Sequence, residues 1–450
     1  MQPRKANGLL DFFELGLLPK IEGIYREDYL RHSGMEFTPK PSVDGFFITH
    51  AHMDHSVYIQ HLREDVPIYM TEETKLILEV VENTSKVLFA DLINLKKDFH
   101  FIPKKRIEGY KRLYGESAKV ERNINVLDPY KKQEIGNFKI ESVPVDHSLP
   151  GATGFIVEGD EDTIAYTGDL RFNGRNPDLT QKFVKKCKKA NPTVMISEGT
   201  RIDEEEKTIT ENEVEQKIIR HIGDYKGFIM VDYPIRDLDR LLSFYNAAKE
   251  ADRTLVVNLK QAYMLKLFEG RDYPEIGDVA IYIPKRGWGL YGEESFACFG
   301  DEWRCASDIE PYHVKTDYEY WEREIMDWDN TITYKELKEN PEEYIFRCDF
   351  FELRELIDIK HEEGLFIRSL TEPFDEETEI DFGKAQNWIN HFNLEMHQIH
   401  ASGHANGPEI LDMIKEIEPE KVYPVHTVKK EKFDILNEYG IDVIYPKLTK

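Results

Sequence analysis

Residues 46 to 55 read Phe46-Phe47-Ile48-Thr49-His50-Ala51-His52-Met53-Asp54-His55. Four potential metal ligands, His50, His52, Asp54 and His55, stand as H-x-H-x-D-H behind an apolar or β-branched strand end. On an extended or tightly turning backbone alternate residues point the same way, so His50 and His52 can share one cation. Asp54 and His55, one step further round the turn, can face a second. Neutral imidazole and carboxylate are ligands that zinc and manganese accept. A polar surface loop with coincidental histidines is the competing reading, and the density of the motif counts against it.

The chain has 15 histidines. Three beyond the first motif, His147, His404 and His426, each follow an apolar strand directly or through a short Gly-containing turn. With Asp169 they complete a two-cation set. One cation takes His50, His52 and His147; the other takes Asp54, His55 and His426; Asp169 bridges. Two cations about 3.5–4 Å apart acidify a shared water and clamp a phosphoryl oxygen, which suits phosphodiester hydrolysis. Asp54 would also orient the attacking hydroxide. Taken singly, a strand-end histidine is more often a hydrogen-bonded core residue, and Asp169 in Thr-Gly-Asp is an ordinary turn residue. The order of the whole set carries the metal reading.

These groups need rigid elements behind them. Short apolar strands are expected at 138–140, 142–145, 154–157, 163–166 and 194–197. Val145 runs into Asp146-His147, Tyr166 into Thr167-Gly168-Asp169, and Ser197 into Glu198. Near the carboxyl end a strand at 397–400 leads into Ala401-Ser402-Gly403-His404-Ala405. A helix at 408–417 and a strand at 421–425 then precede His426. Residues 57–120 show helical patterning, with a helix start at Thr71. Residues 205–365 alternate strand and helix, with strands at 228–231 and 254–257 and a helix over 236–250; this reads as a parallel α/β domain. Residues 301–345 are aromatic and charged without a clear period. Residues 1–45 do not read as strands, and Asp11-Phe12-Phe13-Glu14-Leu15-Gly16 looks helical.

At 450 residues the chain exceeds the size at which one core keeps growing, which predicts two domains. No apolar run approaches a membrane span and no signal-peptide pattern follows Met1. Four scattered cysteines without a C-x-x-C pair fit a reducing cytoplasm, and argue against disulfides or a thiolate zinc site. The formal net charge of −26 opposes broad attraction to nucleic acid, although bound cations and a local basic groove can offset it. The runs Asp203-Glu204-Glu205-Glu206 and Asp375-Glu376-Glu377 read as solvated loops.

The H-x-H-x-D-H motif, His147 and Thr167-Gly168-Asp169, in that order, resemble the metallo-β-lactamase fold. Glu198, Ser402-Gly403-His404-Ala405 and Val425-His426-Thr427 resemble the three further motifs of its β-CASP nucleases, and Asp146-His147-Ser148-Leu149-Pro150 is similar to a segment of ribonuclease J. The resemblance implies an αββα sandwich made from both ends of the chain, with an inserted α/β β-CASP domain. The corresponding boundaries are 1–204 and 366–450 for the sandwich and 205–365 for the insert. It implies that Glu198 and His404 form a hydrogen-bonded pair beside the leaving oxygen. A carboxylate favours imidazolium, so His404 suits a general acid. His426 resembles the metal-binding histidine of RNA-directed members, where DNA cross-link-repair members typically carry valine. Ser402, with the amides of Gly403 and Ala405, resembles a phosphate-binding turn. Arg171, Arg236, Arg240, Lys285, Arg286 and Trp288 are weaker candidates for substrate contact, each with local pairing or a plain surface loop as the alternative, and His400 reads as structural. The fold normally opens with two strands and a strand-end Asp. Residues 1–42 depart from that, so an incomplete first sheet is expected, with Asp11 away from the metals.

The reading is a cytoplasmic two-metal hydrolase of single-stranded RNA, with Asp54, Glu198 and His404 as catalytic groups and Zn2+, or alternatively Mn2+, as cofactor. Single-stranded RNA is the expected partner, with a homodimer as the expected assembly and no membrane. The competing readings are a DNA nuclease of the same fold, a small-molecule metallohydrolase, and an inactive scaffold subunit.

Overall fold

The computed structural model describes residues 7–30, 32–85, 91–96, 99–114, 119–206, 209–223, 225–286, 296–299, 302–305, 310–373 and 375–446. The chain forms two compact units. The first comprises residues up to Phe172, Asn176–Lys207 and Gly403–Lys450; the second comprises Asn173–Arg175 and Thr208–Ser402.

Two sheets build the first unit. The smaller has three parallel strands in the order Phe46–Phe47, Ile68–Met70, Ile124–Val126. The larger has seven, in the order Asp442–Val443, Lys421–Val425, Val194–Glu198, Thr163–Tyr166, Thr153–Glu158, Phe138–Pro144, Lys132–Ile135. Its antiparallel hairpins supply one edge, and parallel strands from both ends of the chain supply the other. Apolar side chains of both sheets meet in one cluster, with Phe47 stacked on Tyr69 at 4.7 Å and edge-on to Phe155 at 5.4 Å. Helices cover the outer faces. Glu72–Thr84 starts where Thr71 accepts the Thr74 amide, and buries Ile77, Leu78 and Val80. Pro177–Ala190 and Gly407–Ile417 pack Phe183, Val184, Ile410 and Ile414 on the larger sheet. This is the αββα sandwich.

The second unit holds a seven-stranded, all-parallel sheet. Its order is Thr331–Ile332, Ala280–Tyr282, Thr254–Asn258, Tyr344–Arg347, Phe228–Asp232, Gly364–Arg368, Leu394–Gln398. The central strands are buried throughout, as continuous apolar runs in parallel sheets require. The expected boundary at 366 is corrected by this sheet. Gly364–Arg368 pairs with Phe228–Asp232 and carries Leu394–Gln398 beside it, so the insert runs to Ser402.

Several local expectations also change. The helix 236–250 is Leu238–Glu250, because Asp237 caps it. Helical patterning from 57 to 120 is interrupted by the strand Ile68–Met70 and ends at Thr84; beyond it come short strands such as Asn94–Lys96 and Phe99–Pro103. The aperiodic stretch 301–345 contains short helices, Tyr320–Met326 and Tyr334–Glu339, each opened by a capping box.

The amino-terminal segment is helical at Leu10–Glu14, and no described residue before Phe46 lies in a strand. Asp11 accepts a bond from Asn7 at 2.8 Å. Leu9, Phe12, Phe13, Tyr25 and Leu30 make a local core, against which His61 packs at 5.1 Å from the Phe12 ring. Both His61 ring nitrogens are buried and have no hydrogen-bond partner among the described residues. Burial, with the cations Arg26 and Arg122, pushes the imidazole down to about 3. A base whose folded pKa lies below its unfolded value near 6.5 binds its proton preferentially in the unfolded chain. Stability is therefore present above pH 6.5 and lost as pH falls toward 3. His61→Leu should remove that acid sensitivity, raising stability at pH 5 by on the order of 1–2 kcal/mol in denaturant titrations while changing little at pH 8. An unchanged difference between the two pH values would refute the assignment.

Candidate metal centre

All the donors lie in the first unit, at ends of its strands. Ile48 donates its amide to Tyr69 O, after which the chain leaves the small sheet as His50 and His52. His52 caps the one-turn helix Met53–Ser56, which carries Asp54 and His55. Val145 leads to His147, and Tyr166 to Asp169. Gly168 is the hinge of that second turn: its φ is +58°, and a Cβ there would stand 2.9 Å from Thr153 O. The larger sheet sets Glu198 opposite Val425, which brings the residues after both strands side by side. His426 takes a left-handed φ of 51°, uncommon for a residue other than glycine.

The donor atoms converge in three neighbouring groups. His50, His52, His147 and Asp169 form the first; Asp54, His55 and His426 form the second; Asp169, Glu198 and His426 form a third that overlaps both; within each, all atoms lie within 4.8 Å of one another. His52 Nδ1 is 3.1 Å from His50 Nε2 and 3.1 Å from His147 Nε2. Asp169 Oδ2 reaches His50 Nε2 at 3.5 Å and His55 Nε2 at 3.1 Å. A tetrahedral ion with bonds near 2.0–2.1 Å has ligand–ligand edges of about 3.3 Å. The separations therefore fit a divalent metal. His147 gives the clearest tautomer: its Nδ1 is 2.6 Å from the Gly403 carbonyl, which only accepts, so Nδ1 carries the proton and Nε2 turns its lone pair inward.

Charge follows the same layout. Burial holds His50 and His147 well below the ordinary imidazole value, so both are neutral, the form in which imidazole can hold a metal. His55 is pushed up to about 10, since hydrogen bonds and charge from Asp169 and Asp54 outweigh its burial. A hydrogen bond from His426 and another from His55 keep Asp54 far below the usual carboxylate range. A cation entering this group would displace protons.

Glu198 is 1% exposed, yet fully bonded. Its Oε1 accepts the Leu170 amide at 2.7 Å; its Oε2 accepts His404 Nδ1 at 2.9 Å and the Thr200 hydroxyl at 2.8 Å. Burial lowers the His404 pKa, but the Glu198 charge and hydrogen bond raise it further, for a net upward shift. With these acceptor sites filled, Glu198 is a partner of His404 rather than a ligand, although it stands near Asp169 and His426.

The remaining candidates separate. The Ala405 amide donates to Leu170 O at 2.8 Å, so its expected part in a phosphate turn is corrected: no donor is left for a phosphate. Gly403 uses its carbonyl on His147, and Ser402 falls in the second unit. Arg171, fully buried, pairs with Asp146 at 2.9 Å, and Arg240, also fully buried, with Glu211 at 2.7 Å, which makes both structural. His400 Nδ1 lies 3.1 Å from Arg240 Nη1. Lys285 pairs with Asp358 and Arg286 with Glu322. Arg236 lies in the turn before Leu238–Glu250, in the second unit; Trp288 lies outside the described residues. Sequence reading missed Thr200, which touches both Glu198 and His426. Its only signal was its place two residues after a strand-end Glu.

Residues 30–221 match the β-lactamase superfamily domain, and residues 391–446 match the Zn-dependent metallo-hydrolase RNA specificity domain. These two matches, with the relatives that follow, support a metallo-hydrolase of the β-lactamase superfamily that is similar to ribonuclease J. The chain is 23% identical to ribonuclease J of Mycoplasma genitalium over 57% of its own length and 42% of that protein. It is 19% identical to ribonuclease J of Sinorhizobium meliloti over 86% of its length and 58% of the relative. A Pyrococcus abyssi ribonuclease J is 27% identical over 36% and 31%. The chain thus spans less than two thirds of each of these curated relatives. A crystal structure of a protein of unknown function from Enterococcus faecalis V583 has the same fold, with a TM-score of 0.67 at 23% identity, covering 97% of this chain and 87% of that one.

Proposed function

We propose that the chain is a metal-dependent ribonuclease that hydrolyses single-stranded RNA with two divalent ions, zinc in the first instance. The observation that carries this reading is the pair of adjoining donor groups with Asp169 between them, 3.5 Å from His50 Nε2 and 3.1 Å from His55 Nε2, and the Glu198–His404 pair beside them. The ribonuclease J relatives support RNA over DNA, as does a histidine at position 426. Bound divalent ions at His50, His52, His147 and at Asp54, His55, His426 would supply Lewis acidity and an acidified water.

The chain's own groups do the rest. Asp54, exposed and 3.1 Å from His426 Nε2, accepts a hydrogen bond from the attacking water and orients it. His404 gives Nδ1–H to Glu198, which leaves Nε2 to hold the transferable proton. As water oxygen bonds to phosphorus and the P–O bond breaks, that proton passes to the departing ribose oxygen.

The buried free thiols Cys187 and Cys348 agree with a cytoplasmic location. No helix among the described residues is long and apolar enough to cross a membrane.

The test is cleavage of an end-labelled single-stranded RNA bearing a 5′-monophosphate, beside the matching DNA, with zinc or manganese and with Asp54→Ala as control. RNA cleavage that the control lacks is expected. Intact RNA and DNA after incubation with metal-loaded protein would overturn the reading.

A further inference from the structure

Thr200 stands where two halves of the centre meet. Its hydroxyl oxygen is 2.8 Å from Glu198 Oε2 and 2.7 Å from His426 Nδ1, and its amide lies 3.3 Å from the same carboxylate oxygen. Glu198 Oε2 in turn lies 2.9 Å from His404 Nδ1. His404, Glu198, Thr200 and His426 therefore form one unbroken chain of hydrogen bonds.

The direction of each bond is fixed by what each group can do. The buried Glu198 carboxylate only accepts, so the single Thr200 hydroxyl proton goes to it; otherwise two acceptor oxygens would face each other at 2.8 Å. The other acceptor in reach, the His426 carbonyl, is at 3.4 Å. Thr200 Oγ1 is then an acceptor toward His426, whose Nδ1 must carry a proton. That leaves Nε2, 3.1 Å from Asp54 Oδ2 and on the side where His55 also points, as the nitrogen whose proton an entering cation would displace. An imidazole can offer a lone pair only from the nitrogen without a proton, and the bond made by the other nitrogen decides which that is. His426 needs the help, because its backbone is left-handed and its ring is partly exposed.

We propose that Thr200 is a positioning residue that locks His426 with Nδ1 protonated and Nε2 presented as a metal ligand, tying that ligand to the Glu198–His404 pair. The inference rests on the metal reading above, but its readouts involve no RNA, so an inactive ribonuclease leaves it standing. Valine at 200 keeps the shape and removes the hydroxyl; serine keeps the hydroxyl.

The experiment compares zinc-loaded wild-type protein with Thr200→Val and Thr200→Ser. Zinc retained against a competing chelator is measured together with the His426 Nδ1–H resonance in protein labelled with 15N-histidine, assigned through its loss in His426→Asn. Thr200→Val should weaken retention of one zinc per chain by about 10–100-fold, leave the other in place and lose the protected resonance. Thr200→Ser should restore both. Wild-type retention of both ions by Thr200→Val, with the resonance intact, overturns the proposal. So does an unchanged defect in Thr200→Ser, which would mean that the methyl group rather than the hydroxyl matters.

Discussion

Asp169→Asn should lower RNA hydrolysis by about a thousandfold, because cation charge stabilisation is worth several kcal/mol. The carboxylate is 2% exposed and lies 3.5 Å from His50 Nε2 and 3.1 Å from His55 Nε2, so it links the first donor group to the second. Burial pushes the Asp169 pKa up, yet the His55 hydrogen bond and the surrounding imidazoles bring it below the ordinary carboxylate value. Asparagine keeps the shape but offers one neutral acceptor oxygen and an NH2 group that faces imidazole nitrogens. The site would then hold His50, His52 and His147 on one side and lose its anionic link to Asp54, His55 and His426. Metal content measured after dialysis should fall below the wild-type stoichiometry, with the loss of turnover following it. The fold should survive, since Tyr166 and Thr167 remain paired to Ile196 through the backbone. Full metal content with wild-type turnover would show that the two groups do not share this carboxylate.

The site was legible because its donors follow strand ends in a fixed order. His50, His52, Asp54 and His55 are local, and the turn that spreads them is written in six residues. His147, Asp169, Glu198 and His426 each end an apolar run, so parallel strands brought together by their cores deliver them to one edge without further instruction. What the sequence concealed has physical reasons too. The strand expected at 397–400, after a boundary at 366, is Leu394–Gln398; its pairing with Gly364–Arg368, and of that strand with Phe228–Asp232, is settled only by long-range packing and puts both in the second unit. Arg171 and Arg240 read equally well as phosphate ligands until their burial and their partners Asp146 and Glu211 are known. The Ala405 amide resembles a donor for phosphate in the motif, but a backbone group's partner is not encoded in its own side chain, and here it is Leu170 O. Thr200 was invisible for a related reason. A threonine after a strand is common, and only the register of Glu198 against Val425 brings it to His426.

His404→Ala should cost about 10²–10⁴-fold in RNA hydrolysis, the usual range for a positioned acid, with metal content unchanged. The residue is not in either donor group; its Nδ1 is held by Glu198, and its ring lies 5.1 Å from that of His147 and 5.8 Å from that of His426. Its contribution should therefore separate from metal binding. The separation can be read with a diester whose leaving group needs no proton. An aryl diester that expels p-nitrophenolate should be cleaved by His404→Ala at nearly the wild-type rate, while RNA, which expels a basic alkoxide, is not. Glu198→Gln should show the same pattern in weaker form. The amide keeps a single acceptor oxygen for the Leu170 and His404 donors, and it no longer supplies the charge that favours imidazolium. Equal losses on both substrates would mean that His404 shapes the site and does not deliver a proton. A loss confined to RNA would place the acid at His404 and make Glu198 the group that keeps it charged.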